Sequence, residues 1–220
     1  MGGHASGEVA ARIAVEEMAE FFRITGRDDE ATWPFRPDPA RDGDENRLLT
    51  GVKLANLRIH ERARTDERLH GMGTTLVAAH FPREGREVLV GHVGDSRAYL
   101  FRRGALRQLT EDHSLLNDYR RTRQLTPAEI EAFPHKNVIV RALGMKESVE
   151  VDLLREPLED GDVVLLCSDG LSGMVPDARM AEVLRAAPGD LRRAAQALVD
   201  AANSAGGADN VTCVLVQAQG

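Results

Sequence analysis

An α+β organisation follows from three features of the 220-residue sequence. Two amphipathic helical stretches come first, and a series of short apolar runs separated by tight turn signals fills the middle. Two more helical stretches then precede a last apolar run at the C-terminus. Helices set apart from short, closely spaced strands indicate antiparallel sheets, whereas parallel strands need a crossover helix between them.

Residues 8–22 place Val9, Ile13 and Phe21, flanked by Ala10, Ala14, Met18 and Phe22, at three- and four-residue spacing, which predicts a helix with one broad apolar face. Residues 26–46 break that pattern with glycines, prolines and charges and read as a solvated loop. Trp33, the only tryptophan, is expected to fasten the loop down. A second amphipathic helix is predicted from Asn46 or Arg47 to about Arg68, with Leu48, Val52, Ala55 and Ile59 on its apolar stripe and its arginines on the wet face.

Four short runs follow, over residues 74–81, 87–93, 97–102 and 106–110. They read as an antiparallel meander. Asp95 sits in the turn Gly94-Asp95-Ser96, where an Asx-type turn and a site role are equally good readings. Arg97 either holds that turn through the Asp95 carboxylate or stays solvated. Two short helices are expected over 113–123 and 126–133, the second opened by the capping box Thr126-Pro127-Ala128-Glu129. Arg120, Arg121 and Arg123 read either as a solvated face or as a contact for an anionic partner. A strand over 149–154, helices over 176–187 and 190–202, and a strand over 211–217 complete the order.

The stretch Asp162-Val163-Val164-Leu165-Leu166-Cys167-Ser168-Asp169-Gly170 is the most informative. Its apolar centre predicts a strand buried on both faces. The strand stops at Asp169, so a rigid element holds a carboxylate at the end of a sheet. Gly206-Gly207-Ala208-Asp209-Asn210 opens the last strand in a similar way. Each motif alone is also ordinary turn chemistry.

A net charge of −7 with no long basic run argues against a nucleic-acid binder, and a phosphate-handling site in such a chain needs metal ions to supply positive charge. The two cysteines, Cys167 and Cys213, lie inside apolar runs and read as buried, inert thiols rather than as a disulfide or a nucleophile. No apolar run approaches the ~20 residues of a membrane span, and the start lacks the pattern of a signal peptide. The expected compartment is the cytoplasm, with no membrane partner.

Four motifs together resemble the metal-dependent serine/threonine protein phosphatases of the protein phosphatase 2C type, in particular the bacterial members. They are Met1-Gly2-Gly3-His4-Ala5-Ser6-Gly7-Glu8; Gly71-Met72-Gly73-Thr74-Thr75 with Val93-Gly94-Asp95-Ser96-Arg97; Cys167-Ser168-Asp169-Gly170-Leu171; and Gly207-Ala208-Asp209-Asn210-Val211-Thr212. Val140-Arg141-Ala142-Leu143-Gly144 is similar to a further family segment. The resemblance covers the chain as a single domain over residues 1–220. It implies a four-layer αββα sandwich, two antiparallel sheets flanked by helix pairs, without the N-terminal strands. It also implies hydrolysis of phosphoserine and phosphothreonine in proteins by metal-bound water, on substrates made by a serine/threonine kinase. Asp169 and Asp209 would be ligands of a two-metal Mn²⁺ or Mg²⁺ centre, which suits hard oxygen donors. Asp95 matches one ligand of a third-metal site, and Gly173 stands where bacterial relatives often carry that site's partner Asp. The polar insertion over 111–137 corresponds to the family's flap, a variable part that bears on substrate choice.

The family's opening motif is Asp-Gly-Met-Gly-Gly, and this sequence begins at its Met. The Asp ahead of that Met bridges both metals in the family, and the segment before it carries an Arg for the substrate phosphate. The expectations are therefore a fragment or an internal start rather than a natural loss, and little activity for the 220-residue chain. The alternative is a non-catalytic module that binds phosphoproteins or regulates a kinase pathway.

Overall fold

The computed structural model describes residues 4–26, 32–83, 86–123, 125–133 and 138–219. The Met1-Gly2-Gly3 start, parts of the 26–46 loop, Gly85 and residues 124 and 134–137 of the polar insertion lie outside them. In chain order the elements are α1 (His4–Thr25), α2 (Gly43–Thr65), a 3₁₀ turn (Glu67–Leu69), β1 (Leu76–His80), β2 (Glu87–Val93), β3 (Arg97–Arg102), β4 (Ala105–Gln108), α3 (Leu115–Thr122), α4 (Pro127–Glu131), β5 (Asp152–Pro157), β6 (Val163–Cys167), α5 (Asp169–Ser172), α6 (Asp177–Ala186), α7 (Leu191–Ser204) and β7 (Cys213–Gln217). The strands form one sheet in the order β1-β2-β5 and another in the order β4-β3-β6-β7. The expected α+β class with two antiparallel sheets and flanking helices is what the chain forms.

The meander reading does not hold for β2 and β3. They are consecutive but belong to different sheets, so the Gly94-Asp95-Ser96 turn carries the chain from one sheet to the other. Alternation along a strand fixes which face is buried and says nothing about which neighbour it pairs with. Gly94 makes the turn possible. Its φ of 110° is open to glycine, and a Cβ there would stand 2.2 Å from Thr75 Cγ2.

The chain divides into two compact units, residues 1–76, 91–94 and 113–153 in the first and 77–90, 95–112 and 154–220 in the second. In the first, α1 and α2 bury Ala10, Ala14, Val52, Ala55 and Ile59 against Met72, Val93, Leu143 and Val151. Helix α2 begins earlier than its apolar stripe suggests. Asp42 and Glu45 form a reciprocal capping box that pulls the Asp42-Gly43 turn signal into the helix. Arg47 is not on a wet face: its Nη2 donates to Phe22 O at 2.6 Å and its Nε to Thr25 Oγ1 at 2.8 Å, closing the end of α1. Trp33 packs edge-on against Phe21 with ring centroids 5.9 Å apart, as expected for an anchor. Asn56, 1% exposed, accepts the Gly144 N–H at 2.8 Å and donates to the carbonyls of Lys146 and Glu147. His113 Nδ1 accepts the Gly94 N–H at 3.0 Å, and its Nε2 lies 3.3 Å from Asp152 Oδ2.

The second unit holds two sheet faces and a helix layer. Val88 and Val90 of β2 meet Ala98 and Leu100 of β3 and Val164 of β6, forming a core between the sheets. On the other face of the four-stranded sheet, Tyr99, Leu165 and Cys167 pack under Met180, Val183 and Leu184 of α6 and Ala194, Leu198 and Ala202 of α7. β6 is central, paired antiparallel with β3 and β7. Its entry is fixed by Asp162, 2% exposed, whose carboxylate takes a 2.6 Å bond from Arg102 Nη2 and a 2.7 Å bond from the Glu159 N–H.

Two groups each contribute stability that acid removes. Burial outweighs the Asp152 contact and holds His113 below the ordinary imidazole range, so the unfolded chain binds this proton more readily. Stability from His113 is therefore present above about pH 6.5 and lost as pH falls through that value. Burial opposes the Asp162 charge, but the bonds from Arg102 and Glu159 outweigh it and hold the carboxyl below its usual range. That stability is present above about pH 4 and lost below it. In urea unfolding Asp162→Asn should cost about 2 kcal/mol at pH 7 and progressively less as pH falls below about 4.

Candidate metal and phosphate site

β6 runs antiparallel to β3 with Arg97 opposite Cys167, and to β7 with Cys167 opposite Cys213. Extending these registers past the strand ends brings Asp95, two residues before Arg97, and Asp209, four before Cys213, to the same edge of the sheet as Asp169. The separation of Asp95 from Asp209 along the chain is thereby removed by strand pairing.

The β6 and β7 ends are locked together by Ser168. Its N–H donates to Thr212 O at 3.1 Å, its Oγ donates to Asn210 O at 3.1 Å, and the same Oγ accepts the Thr212 N–H at 3.0 Å. Gly170 lets the loops close, because a Cβ there would lie 2.3 Å from Asn210 O and 2.9 Å from its carbonyl carbon. Leu171, fully buried, pins the short α5 helix behind it. Asp209 Oδ1 accepts the Asn210 N–H at 2.7 Å, fixing the turn before β7.

Carboxylates dominate the electrostatics. The Asp169 carboxyl is raised above its ordinary range, first by partial desolvation and then by the Asp209 charge. Asp95 is pushed up to about 6 by burial, then by Asp169 and Asp112. Asp169 and Asp209 are both solvent-exposed, and neither makes an ion pair among the described residues. Asp95, Asp169 and Asp209 thus share one electrostatic neighbourhood. No three His, Cys, Asp or Glu side chains among the described residues converge closely enough to hold a single ion. The pair Asp169 and Asp209 fits a hard divalent cation by donor chemistry, since oxygen donors that repel each other gain most from one.

Two participants were not legible from the motifs. Asp112 acts on both Asp95 and Asp169, although nothing in the sequence around it marks a site. Arg97 holds Asp112 instead of Asp95, with Nε to Oδ1 at 2.8 Å and Nη2 to Oδ2 at 2.7 Å. Its Nη1 donates to the hydroxyl of buried Tyr99 at 3.1 Å, and Tyr99 donates to Asp177 at 3.3 Å. The Arg97 charge is therefore committed to a neighbouring carboxylate. Cys167, two residues from Asp169, has its thiol pushed up to about 12 by burial, which suits a packing role and not attack on a substrate phosphate.

The close approach at Gly170 yields a contrast. Gly170→Ala should destabilise the protein by about 2 kcal/mol or more in urea unfolding, because backbone and not a flexible side chain must yield. Gly43→Ala, where nothing lies within 4 Å of the added methyl, should be neutral or slightly stabilising. Equal effects at both positions would contradict this account of the loop closure.

Comparison with known proteins agrees with this architecture. The family model for protein phosphatase 2C matches residues 1–214. The serine/threonine phosphatase stp of Listeria innocua is 38% identical over 99% of this chain and 81% of its own length. Protein phosphatase PhpP of Streptococcus pneumoniae is 35% identical over 98% of this chain and 82% of its own. The crystal structure of the Mycobacterium tuberculosis serine/threonine phosphatase PstP superimposes with a TM-score of 0.82 at 34% identity, over 100% of this chain and 86% of that one. A structure of the PstP catalytic domain in complex with two manganese ions gives a TM-score of 0.76 at 34% identity, over 99% and 84% of the two chains. The chain belongs to the protein phosphatase 2C family.

Proposed function

We propose that this chain is a serine/threonine protein phosphatase that hydrolyses phosphoserine and phosphothreonine with Mn²⁺ or Mg²⁺ held in part by Asp169 and Asp209. The observation that carries the reading is the pair itself. Two exposed carboxylates are held together by Ser168 and the close approach at Gly170, and Asp209 raises the Asp169 carboxyl with no ion pair among the described residues to offset it. A bound divalent pair would supply the positive charge for phosphate oxygens and lower the pKa of a water directed at phosphorus.

The chain's own residues supply the position. Ser168 fixes the spacing of the two aspartates, and the Asp209 side chain is oriented by the Asn210 N–H. Arg97 keeps Asp112 in place through a two-bonded fork. Asp95 stands beside this set as the candidate ligand of a further ion. The substrates are phosphoproteins made by a serine/threonine kinase in the cytoplasm, and the 111–137 insertion takes part in choosing among them. No described helix is long and apolar enough to cross a membrane.

The test is manganese-dependent release of phosphate from a phosphothreonine peptide, by the 220-residue chain and by one extended upstream with an Asp-Gly ahead of Met1. Turnover by the extended chain should require manganese. Asp169→Asn and Asp209→Asn in the extended chain should each lower the rate about 100-fold and weaken manganese binding at least about 10-fold. No turnover by the extended chain with metal in excess would rule out the enzyme reading.

A further inference from the structure

Cys167 and Cys213 are the only cysteines of the chain, and the fold places them directly opposite each other on β6 and β7. Both are free thiols. The hydrogen bonds fix the kind of pair they form. Ser168 N–H donates to Thr212 O, one residue beyond the pair on each strand, and at the other end of the ladder Ala218 N–H donates to Asp162 O. In an antiparallel ladder this pattern makes Val163 with Gln217, Leu165 with Leu215 and Cys167 with Cys213 the non-hydrogen-bonded pairs. Such pairs hold their Cα atoms about 4.5 Å apart with both side chains on one face. That separation falls within the range of about 4.4–6.8 Å over which a disulfide closes, near its short end. The shared face is confirmed by packing, since both cysteines belong to the cluster under α6 and α7.

Access to the two sulfurs is unequal. Cys167 is 3% exposed, whereas Cys213 is half-buried at the edge strand of its sheet, with its Sγ 3.7 Å from Ala195 O. An oxidant therefore reaches Cys213 first.

We propose that Cys167 and Cys213 form a reversible cross-strand disulfide, a redox modification site on the strand pair whose ends carry Asp169 and Asp209. With a hydroperoxide as oxidant, the Cys213 sulfur takes one oxygen to become a sulfenic acid and the peroxide leaves as water or alcohol. The Cys167 sulfur then attacks the Cys213 sulfur, and the hydroxyl departs with the Cys167 proton as a second water. Two thiols are oxidised by two electrons and one peroxide is reduced. A short Cα separation strains the bond and makes it easy to reduce, which suits a reversible site. The disulfide would tie β6 to β7 one residue behind the Ser168 clamp.

The test treats the folded chain with hydrogen peroxide and follows intact mass and peptides mapped without reduction. The expected result is a monomer lighter by two hydrogen atoms, a linked peptide joining residues 167 and 213, and return to the starting mass with dithiothreitol. Cys213→Ser, a half-buried and nearly isosteric change, should abolish the linked peptide while its melting curve stays close to wild type. Three results would overturn the proposal: sulfinic or sulfonic acid without a linked peptide, linkage only between two copies of the chain, or a link that forms only after urea unfolding.

Discussion

The acidic end of the four-stranded sheet depends on one close approach. Gly170 lies so near Asn210 that any side chain would meet the Asn210 carbonyl, and Ser168 uses its backbone and its hydroxyl to hold the two loops at that distance. Because the contact is backbone against backbone, it sets the relation of Asp169 to Asp209 more firmly than side-chain packing would. The strand pairing behind it turns a separation of 40 residues in sequence, from 169 to 209, into adjacency at a sheet edge.

That arrangement works against the electrostatics of the free chain. Asp169 is raised by partial desolvation and by Asp209, and Asp95 by burial, Asp169 and Asp112. Arg97 relieves the cluster only in part: its charge lowers Asp95 less than burial and the neighbouring carboxylates raise it, and its hydrogen bonds go to Asp112 and Tyr99. Asp169 and Asp209, near one another and without an ion pair among the described residues, have the donor chemistry that the proposed cation site requires. The stability is supplied elsewhere: by the core under α6 and α7, by the core between the sheets, and by the buried Asp162 that anchors the start of β6.

Much of this was legible in the sequence, and the gaps have physical reasons. β2, β3 and β6 fall at the expected residues because their burial follows local apolar patterning. The capping box at Thr126 forms as read, since its chemistry is local. What failed needed pairing information. The meander reading put β2 beside β3, whereas the turn at Gly94 passes between sheets. Arg97 reads from sequence either as holding the Asp95 turn or as solvated, whereas its partner Asp112 lies 15 residues away. Arg47 read as surface because a helical wheel cannot show that a second helix ends beside it. The three candidate aspartates were visible as motifs, but their mutual influence and the role of Asp112 required the register of β6 with β3 and β7. The same register places the two cysteines face to face, which their separate apolar runs did not reveal.

The central claim is that Asp169 and Asp209 act as one cation-binding pair. Carboxyl-carbon NMR, with Mg²⁺ as a diamagnetic probe, tests it without reference to turnover. Mg²⁺ should shift the Asp169 and Asp209 resonances together over one binding curve and bring the Asp169 titration down towards the ordinary carboxylate range. The Asp162 resonance should stay unchanged, because Arg102 already neutralises that group. A curve that moves only one of the two aspartates, or leaves the Asp169 titration raised at saturating Mg²⁺, would contradict the account.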